Sequence, residues 1–243
     1  MAPRDMTPSP AVAVVPAAGS GSRMGAGAVG KAYLPIAGRP LIVHTICALL
    51  DSPQISRICL VVAPADVALC ADDVVAAHGL TDAVTVVAGG SSRQESVFRG
   101  LVACQDAARY VVVHDGARPL VTSAMVAMTL EAARHVGAAT VAVPVTDTLK
   151  RGDGEHRVIG SVDREWLWSI QTPQAFRLDL LVDAHVRARN EGISATDDAS
   201  LIEHLGRPVQ LVMGDRRNIK VTTRDDLPMA EYLLTLGQPG AAP

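Results

Sequence analysis

Short runs of β-branched and other apolar residues alternate along the chain with longer segments whose apolar positions recur every three or four residues. The short runs predict six strands, at about 12–15, 57–63, 84–88, 109–114, 139–144 and 208–213. The longer segments predict helices near 40–50, 66–78, 93–106, 122–136, 177–190, 197–205 and 225–236. This alternation is typical of an α/β fold with helices on both faces of a mostly parallel sheet. We therefore expect a Rossmann-like arrangement of three layers.

The stretch 147–172 interrupts this alternation. It contains a Gly-Asp-Gly turn between two strand-like segments, which predicts a β-hairpin that protrudes from the core. Trp166 and Trp168 follow this turn. Such a β-arm packs either on a second subunit or back on its own domain, and the sequence alone leaves both readings open.

Composition and charge narrow the class of protein. The chain has 243 residues, 49% of them hydrophobic and 3% aromatic, which suffices for one sizeable core. We expect a single domain over 11–236, with loose ends at 1–10 and 237–243. The net charge of −3 provides no general basic field, so nucleic acid is not an expected partner.

The cysteines and the apolar stretches indicate the cellular compartment in which the protein works. None of the four cysteines forms a C-x-x-C pair, and each lies among apolar residues, as expected for buried thiols in a reducing compartment. The first residues lack an apolar signal core, and no uncharged apolar stretch approaches about 18 residues. We therefore expect a cytoplasmic protein that does not bind membranes.

The loop after the first strand, residues 16–31, consists of small residues and carries two cations, Arg23 and Lys31, with no acid. Glycine and alanine leave room for backbone N–H groups to approach an oxyanion. The two cations add positive charge where phosphate charge would lie. The pattern predicts a polyphosphate-binding loop; the alternative is a solvated glycine-rich turn.

Two common nucleotide motifs match this loop only in part. Residues 19–24 (GSGSRM) begin like the dinucleotide fingerprint G-x-G-x-x-G, but Met24 stands in place of the third glycine and no acid follows at the expected distance. Residues 25–32 (GAGAVGKA) match G-x-x-x-x-G-K but place Ala32 where Mg²⁺ requires a hydroxyl. Neither a dinucleotide site nor a P-loop is favoured.

Polar loops follow the later strands as well, at 89–96, 114–119, 145–150 and 214–220, and most of them carry a cation. Ligands of open parallel sheets collect at the carboxyl ends of the strands. Asp115, after a run of valines, is a candidate ligand for Mg²⁺ or a substrate hydroxyl; its alternatives are a cap or an ion pair with a nearby arginine.

The remaining polar candidates have structural interpretations. His114 reads as a packed, hydrogen-bonded histidine, and His185 as a residue on a helix surface. Asp197 and Asp198 fit the first turn of a helix. Lys220 is either solvated or functional. No Ser-His-Asp order, H-E-x-x-H or nucleophile elbow is present, so the chemistry indicated is electrostatic: binding a polyphosphate and holding an acceptor in line.

Taken together, the loops resemble those of a known family. Residues 16–24 (PAAGSGSRM), followed by Lys31, resemble the signature loop of the sugar-phosphate nucleotidylyltransferases. The further matching segments are 89–93 (GGSSR) with Ser96, 113–119 (VHDGARP), 144–150 (PVTDTLK), 162–164 (VDR), 171–174 (QTPQ), 196–200 (TDDAS) and 218–222 (NIKVT). In this order, over roughly 11–236, they are similar to the 2-C-methyl-D-erythritol 4-phosphate cytidylyltransferase family.

The resemblance implies a fold of the nucleotide-diphospho-sugar transferase type and a specific reaction. CTP and methylerythritol phosphate would give 4-diphosphocytidyl-2-C-methyl-D-erythritol and pyrophosphate, with Mg²⁺, in the non-mevalonate isoprenoid pathway. The resemblance assigns Arg23 and Lys31 to the transition state and departing pyrophosphate. It assigns Arg164 and Lys220 to the acceptor phosphate.

The resemblance also implies the binding residues and the assembly. Asp115, Arg118, Thr148 and Thr172 would line the acceptor and metal region, with Asp115 as the metal ligand. The backbone of Ala17, Ala18 and Gly19, together with Gly90, Ser91 and Ser96, would bind cytosine and ribose. The family is dimeric, so the β-arm would clasp a second subunit and Arg164 would then serve the neighbouring site.

Some positions depart from the family pattern. Gly30 precedes Lys31 where proline is usual, and the loop between Met24 and Lys31 is one residue longer and rich in glycine. Gly116 replaces a usual alanine, and Arg217 stands where some members have an acid. None of these changes removes a candidate catalytic group.

Three other functions compete with this one. A ribitol-5-phosphate cytidylyltransferase for cell-wall polymers would share the CTP half of the site and differ in the acceptor it turns over. A non-catalytic nucleotide-binding module would not need the four cations Arg23, Lys31, Arg164 and Lys220. A nicotinamide dehydrogenase would change NADH fluorescence on mixing.

Overall fold

A seven-stranded sheet forms the centre of the computed structural model, which describes residues 10–19 and 30–237. The strands are β1 (Ala11–Pro16), β2 (Pro35–Ile36), β3 (Arg39–Pro40), β4 (Ile55–Val62), β5 (Val84–Ala88), β6 (Tyr110–Val113), β7 (Ala138–Pro144), β8 (Leu149–Gly152), β9 (Val158–Val162), β10 (Trp168–Arg177) and β11 (Gln210–Met213). The helices are α1 (Leu41–Leu50), α2 (Val67–Leu69), α3 (Arg93–Cys104), α4 (Ser123–Val136), α5 (Leu178–Glu191), α6 (Asp198–His204) and α7 (Asp226–Thr235).

The central sheet has the strand order β11-β7-β10-β6-β1-β4-β5. Its neighbouring strands pair in parallel, except that β10 runs antiparallel to both β6 and β7. Two further pairs, β2 with β3 and β8 with β9, form separate two-stranded sheets. The predicted α/β class with a mostly parallel sheet is confirmed.

Two hydrophobic cores lie on opposite faces of the sheet, because side chains alternate along each strand. In β1, Ala13 and Val15 face the core that α1 and α4 cover, whereas Val12 and Val14 face the core that α3, α5 and α6 cover. The side chains of β1 are thus buried on both faces, as expected for a strand in the middle of a parallel sheet. This rigid centre fixes the position of the loops at the strand ends.

The antiparallel strand β10 was not predicted. The middle of this strand, residues 171–174, reads Gln-Thr-Pro-Gln. The sequence there lacks the alternation of apolar and polar residues that is typical of a strand. All four are buried in the structure. The ladder to β7 is irregular between Ile170 and Gln174, which is where a strand tolerates proline.

The β-arm is shorter than the predicted 147–172. Strands β8 and β9 form the hairpin over residues 149–162, and residues 168–172 already belong to β10 in the central sheet. The predicted helix at 66–78 is also different: a 3-10 turn and α2 lead into a π-helical segment, Cys70–Val75, and a second 3-10 turn. Its buried residues, Cys70, Val74 and Val75, suit this wider turn.

A third, small core fixes two of the strand-end loops against the last helix. Ala117 and Val221 are buried with Ile36, Leu41 and Ala230 of α7. The Val221 N–H donates to the Ala117 carbonyl at 2.9 Å. The loops that follow β6 and β11 are therefore held side by side.

No helix within residues 10–19 and 30–237 is long and apolar enough to cross a membrane.

Candidate active site

The loops after β1, β5, β6 and β11 meet at one edge of the sheet and enclose a cavity of about 510 Å³. It is lined by Pro16, Ala17, Ala18, Gly19, Lys31, Ala32, Gly90, Ser91, Ser92, Arg93, Ser96, Asp115, Gly116, Ala117 and Lys220. Most of these residues are small, so backbone groups form much of the wall. A flat polar group such as a nucleobase can therefore be recognised by backbone N–H and C=O groups.

Close contact between two of these loops depends on the absence of side chains. A Cβ atom added at Gly89 would lie 2.8 Å from the Cβ of Ala18 and 2.8 Å from the Oγ of Ser96. The Gly90 N–H donates to the Ser96 hydroxyl at 3.0 Å, and that hydroxyl donates to the Ser92 carbonyl at 2.8 Å. The Ser96 hydroxyl therefore holds the loop at Gly90 and Ser92 in place through these two hydrogen bonds.

A second cavity of about 760 Å³ adjoins the first. Its lining includes Arg93, Asp115, Arg118, Gln171, Thr172, Gln174, Asp197, Ser200, Arg207 and Lys220. Three residues, Arg93, Asp115 and Lys220, line both cavities. They mark the border where a ligand in one cavity would meet a ligand in the other.

Asp115 lies at the centre of this border and is surrounded by cations. Its Oδ2 is 2.8 Å from Lys220 Nζ and 3.5 Å from Arg118 Nε. Its Oδ1 is 3.5 Å from Arg93 Nε. The Arg118 guanidinium is fixed by a second contact, since its Nη1 donates to the Asn218 carbonyl at 2.7 Å.

The charge state of this cluster follows from its contacts. Burial by itself would raise the pKa of Asp115, but Lys220, Arg93 and Arg118 outweigh burial and lower that pKa well below its usual range. Asp115 therefore stays ionised at neutral pH, and three cations face it. This surplus of positive charge suits phosphate groups.

The loop that carries Asp115 is held from behind by His114 and Thr172. The Asp115 N–H donates to the Thr172 hydroxyl at 3.0 Å, and that hydroxyl lies 3.1 Å from His114 Nδ1. His114 Nε2 is 3.0 Å from the Arg118 carbonyl, which can only accept. Nε2 therefore carries the ring proton, and the Thr172 hydroxyl donates to Nδ1.

The structure brings most of the predicted site residues together. Ala17, Ala18, Gly19, Lys31, Gly90, Ser91, Ser96 and Asp115 line the first cavity, and Asp115, Arg118, Thr172 and Lys220 line the second. Arg23 lies outside the described residues. Thr148 and Arg164 line neither cavity: both are exposed near the β-arm, where Arg164 Nη1 contacts the Thr146 carbonyl.

Two buried residues behind the site, Asp198 and His185, make contacts that the sequence did not predict. Asp197 caps α6 as expected, accepting from the Ser200 N–H at 3.2 Å. Asp198 lies in the first turn of α6 as predicted, but it is also buried and binds Arg93 Nη1 at 2.7 Å. His185 is also buried rather than on a helix surface, and its Nε2 lies 3.0 Å from Asp198 Oδ1. The helical periodicity did not show that α5 turns this histidine towards α6.

The role of Arg93 was also not predicted, although its segment belongs to the family resemblance. Arg93 is the first residue of α3 and follows the glycine-rich loop after β5. The sequence shows Arg93 as a cation at the end of a strand-end loop. It does not show the two carboxylates that Arg93 contacts, because both come from distant parts of the chain.

The donor set at the border does not form a metal site by itself. Among the described residues, no group of three or more His, Cys, Asp or Glu side chains could hold a metal ion. The lone carboxylate, Asp115, faces three cations, whose charge opposes a nearby divalent ion. A role for Asp115 as a ligand for Mg²⁺ would therefore need further ligands from a bound substrate, and it stays a prediction.

Comparisons with known proteins identify the family. The family model described as 2-C-methyl-D-erythritol 4-phosphate cytidylyltransferase (IspD) matches residues 11–236. A protein of that name from Desulforamulus reducens is 47% identical over 223 residues, which cover 92% of this chain and 95% of the relative.

Solved structures agree with this match. The crystal structure of a 2-C-methyl-D-erythritol 4-phosphate cytidylyltransferase from Thermus thermophilus has a TM-score of 0.77 at 37% identity, covering 93% of this chain and 99% of that one. A 4-diphosphocytidyl-2C-methyl-D-erythritol synthase from Anaerococcus prevotii has a TM-score of 0.80 at 29% identity, covering 93% and 96%. The chain belongs to the 2-C-methyl-D-erythritol 4-phosphate cytidylyltransferase family.

Proposed function

We propose that this protein transfers the cytidylyl group of CTP to 2-C-methyl-D-erythritol 4-phosphate and releases pyrophosphate. The observation that carries the proposal is the border between the two cavities, where Asp115 is surrounded by Arg93, Arg118 and Lys220. A transfer between two phosphates needs both ligands to meet at a cationic place, and this border provides one. Family membership supports the choice of both substrates.

The first cavity suits the nucleotide. The backbone of Ala17, Ala18 and Gly19 and the loop at Gly90 and Ser91 would bind cytosine and ribose, because their small side chains leave the peptide groups accessible. Lys31, at the same cavity, would bind the triphosphate together with Arg23. Both cations would act most strongly as negative charge builds up on the reacting phosphate.

The second cavity suits the acceptor. Lys220 and Arg118 would position the acceptor phosphate, and Thr172 would line the same wall. An oxygen of that phosphate attacks the α-phosphorus of CTP, forming a P–O bond in line with the bond that breaks. The bond to the bridging oxygen between the α- and β-phosphates breaks, and pyrophosphate leaves with both electrons of that bond.

Mg²⁺ enters the proposal only as an ion that accompanies the triphosphate. Mg²⁺ in phosphate-transfer sites is held by substrate phosphates and one or two carboxylates. Asp115 could supply the one carboxylate of such a set, but its oxygens are already paired with three cations, so the substrate phosphates would hold most of the ion. We therefore assign the charge stabilisation to Lys31 in the first cavity and to Arg93 and Lys220 at the border.

The β-arm would complete the site of a second copy of the chain. Arg164 and Thr148 are exposed and lie outside both cavities of their own chain, yet the family resemblance assigns them to the acceptor. The β-arm also exposes the apolar side chains of Val158 and Ile159. A homodimer in which the arm covers a neighbouring subunit would bury these side chains and deliver Arg164 to the neighbour's acceptor cavity.

Pyrophosphate release tests the proposal. The purified chain is incubated with CTP, Mg²⁺ and either methylerythritol phosphate or ribitol 5-phosphate. We expect faster release with methylerythritol phosphate. Faster release with ribitol phosphate would favour the sister activity, and no release with either acceptor would favour a non-catalytic nucleotide-binding module.

A variant of Lys31 tests the electrostatic mechanism in the same assay. Lys31→Ala is expected to lower kcat by about 10²–10³, since it removes charge stabilisation from the transition state. Arg57→Ala is the matched control, because it removes an exposed cation of β4 that lines neither cavity. A Lys31→Ala rate close to that of the control would contradict the role given to Lys31.

A further inference from the structure

A line of buried polar contacts runs from α5 to the border between the two cavities. His185, which is 2% exposed, has its Nε2 3.0 Å from Asp198 Oδ1. The other oxygen of Asp198 accepts from Arg93 Nη1 at 2.7 Å. Arg93 Nε in turn lies 3.5 Å from Asp115 Oδ1. Four side chains, from α3, the loop after β6, α5 and α6, are thus connected.

We propose that His185 is a positioning residue for the transfer: through Asp198 it fixes the Arg93 guanidinium, and thereby Asp115, at the border between the two cavities. His185 itself lines neither the nucleotide cavity nor the acceptor cavity. Any effect of His185 on the reaction therefore passes through the other side chains. This inference rests on the cytidylyl transfer proposed above.

The geometry of Arg93 shows why Asp198 controls its position. The guanidinium is divided between two carboxylates, with the short contact of 2.7 Å to Asp198 and the long contact of 3.5 Å to Asp115. A short charge-assisted hydrogen bond restrains its partners more strongly than a long ion pair. The location of Asp198 therefore sets where Arg93 lies relative to Asp115.

The geometry of Asp198 shows why His185 is needed. Asp198 is a fully enclosed carboxylate, and a buried carboxylate requires hydrogen-bond donors on its oxygens. Arg93 supplies one to Oδ2, and His185 supplies one to Oδ1. Without the histidine N–H, Oδ1 loses this donor and the carboxylate is free to rotate about its bond to Cβ.

His185 also has a packing role, which the experiment must separate from positioning. Its ring stacks on Phe98, with centroids 6.0 Å apart and planes inclined by 27°. Phe98 lines neither substrate cavity. Phe98→Leu therefore removes the ring contact while leaving the hydrogen bond to Asp198 in place.

Steady-state kinetics with CTP and methylerythritol phosphate test the proposal. His185→Leu removes the donor, whereas His185→Gln keeps an N–H donor near the position of Nε2. We expect His185→Leu to lower kcat and kcat/KM together by roughly tenfold, since misplaced groups slow the chemical step. We expect His185→Gln and Phe98→Leu to stay within about threefold of the wild type.

The outcomes separate the possible explanations. Equal losses in His185→Leu and Phe98→Leu, or no recovery in His185→Gln, would show a packing role and overturn the proposal. If His185→Leu does not fold, Asp198→Asn decides in the same assay: a tenfold lower kcat supports the proposal, and a wild-type kcat overturns it. An inactive wild type would instead contradict the cytidylyl transfer itself.

Discussion

His114 shows how a single buried residue keeps the acceptor side of the site in shape. It is fully enclosed, and its two ring nitrogens bond the Thr172 hydroxyl and the Arg118 carbonyl. Burial lowers the pKa of His114 from its usual value near 6.5 to about 4, so the ring is neutral at physiological pH. A neutral ring with its proton on Nε2 satisfies both contacts, whereas a protonated ring would present a donor to the hydroxyl and disturb its hydrogen bonds.

This lowered pKa predicts that the protein loses stability in mild acid. Between pH 6.5 and pH 4 the unfolded chain binds a proton at His114 that the folded chain does not, so the free energy of unfolding falls as the pH falls. The expected loss between pH 7.5 and pH 5 is about 2 kcal/mol. Urea unfolding at the two pH values measures it.

The matched variant for this prediction is His114→Gln, which cannot titrate in this range. Its free energy of unfolding is expected to change less between pH 7.5 and pH 5 than that of the wild type. The carboxyls of Asp115 and Asp198 do not confuse the comparison, because their lowered pKa values make them titrate below this window. The same pH dependence in both proteins would show that His114 is not the group responsible.

At the scale of elements, the sequence predicts the strands and helices that follow a regular pattern of apolar positions. It misses an element whose buried residues depend on hydrogen-bond partners far along the chain. The β-branched runs predict β1, β4 and β5 because each is a short apolar strand of the parallel sheet, and the polar loops after them predict the edge at which ligands bind. The strand β10 does not fit the pattern because its buried side chains are amides and a hydroxyl. They are tolerated inside because α6, β7, Asn218 and the loop at His114 and Asp115 provide hydrogen-bond partners.

The need for partners elsewhere in the chain also explains why some site residues were predicted and others were not. Asp115 and Lys31 are visible in the sequence because each stands in a strand-end loop. Asp198 and His185 are not, since their function depends on contacts with Arg93 and with each other across long sequence separations. Resemblance to a family supplied the roles of Thr148 and Arg164, but folding one chain does not bring them into a cavity.

Gln174 is expected to be essential for holding β10 and α6 together. Its Nε2 donates to Thr140 Oγ1 at 3.0 Å and to Asp197 Oδ2 at 2.7 Å. Its Oε1 accepts from the N–H groups of Asp198 and Ala199 at 3.2 and 3.3 Å. Gln174→Met keeps the length of the side chain but leaves these buried groups without partners, which should cost about 3 kcal/mol of unfolding free energy.

Equilibrium unfolding in urea measures this loss, and Gln210→Met is the control. Gln210 is an exposed residue of β11, and its replacement should change the free energy of unfolding by less than about 0.5 kcal/mol. Because Gln174 also holds the turn before Asp198, its variant should lose turnover as well as stability. Equal stability of the two variants would mean that β10 and α6 are held together by apolar packing alone.

At the scale of the whole molecule, the three most exposed of the large apolar side chains that the structure describes lie on the β-arm or just after it. Val158 is 65% exposed, Ile159 61% and Trp166 81%. The edge strand β11 pairs with β7 beside the base of the β-arm, and its Met213 is exposed as well. Exposed apolar groups that lie together are typical of interaction surfaces, and the homodimer proposed above would cover those of the β-arm.

The double variant Val158→Lys with Ile159→Lys is expected to break the proposed dimer, because it would place four lysines in the contact between the two copies. Sedimentation equilibrium should show twice the chain mass of 25.4 kDa for the wild type and the single chain mass for the variant. Met128→Lys with Val136→Lys is the matched control, since it charges two exposed apolar residues of α4, which is not part of the β-arm. A wild-type monomer, or a dimer that persists in the arm variant, would contradict the assembly.

Mixing two inactive variants decides whether Arg164 acts across that dimer. Homodimers of Lys31→Ala lack Lys31 in both sites, and homodimers of Arg164→Ala lack Arg164 in both. If the β-arm serves the neighbour, a mixed dimer has one site with both cations intact and one site with neither. Random exchange makes half of the dimers mixed, so about a quarter of the wild-type pyrophosphate release should return. If Arg164 serves its own chain, no site in the mixed dimer contains both cations, and mixing should restore nothing.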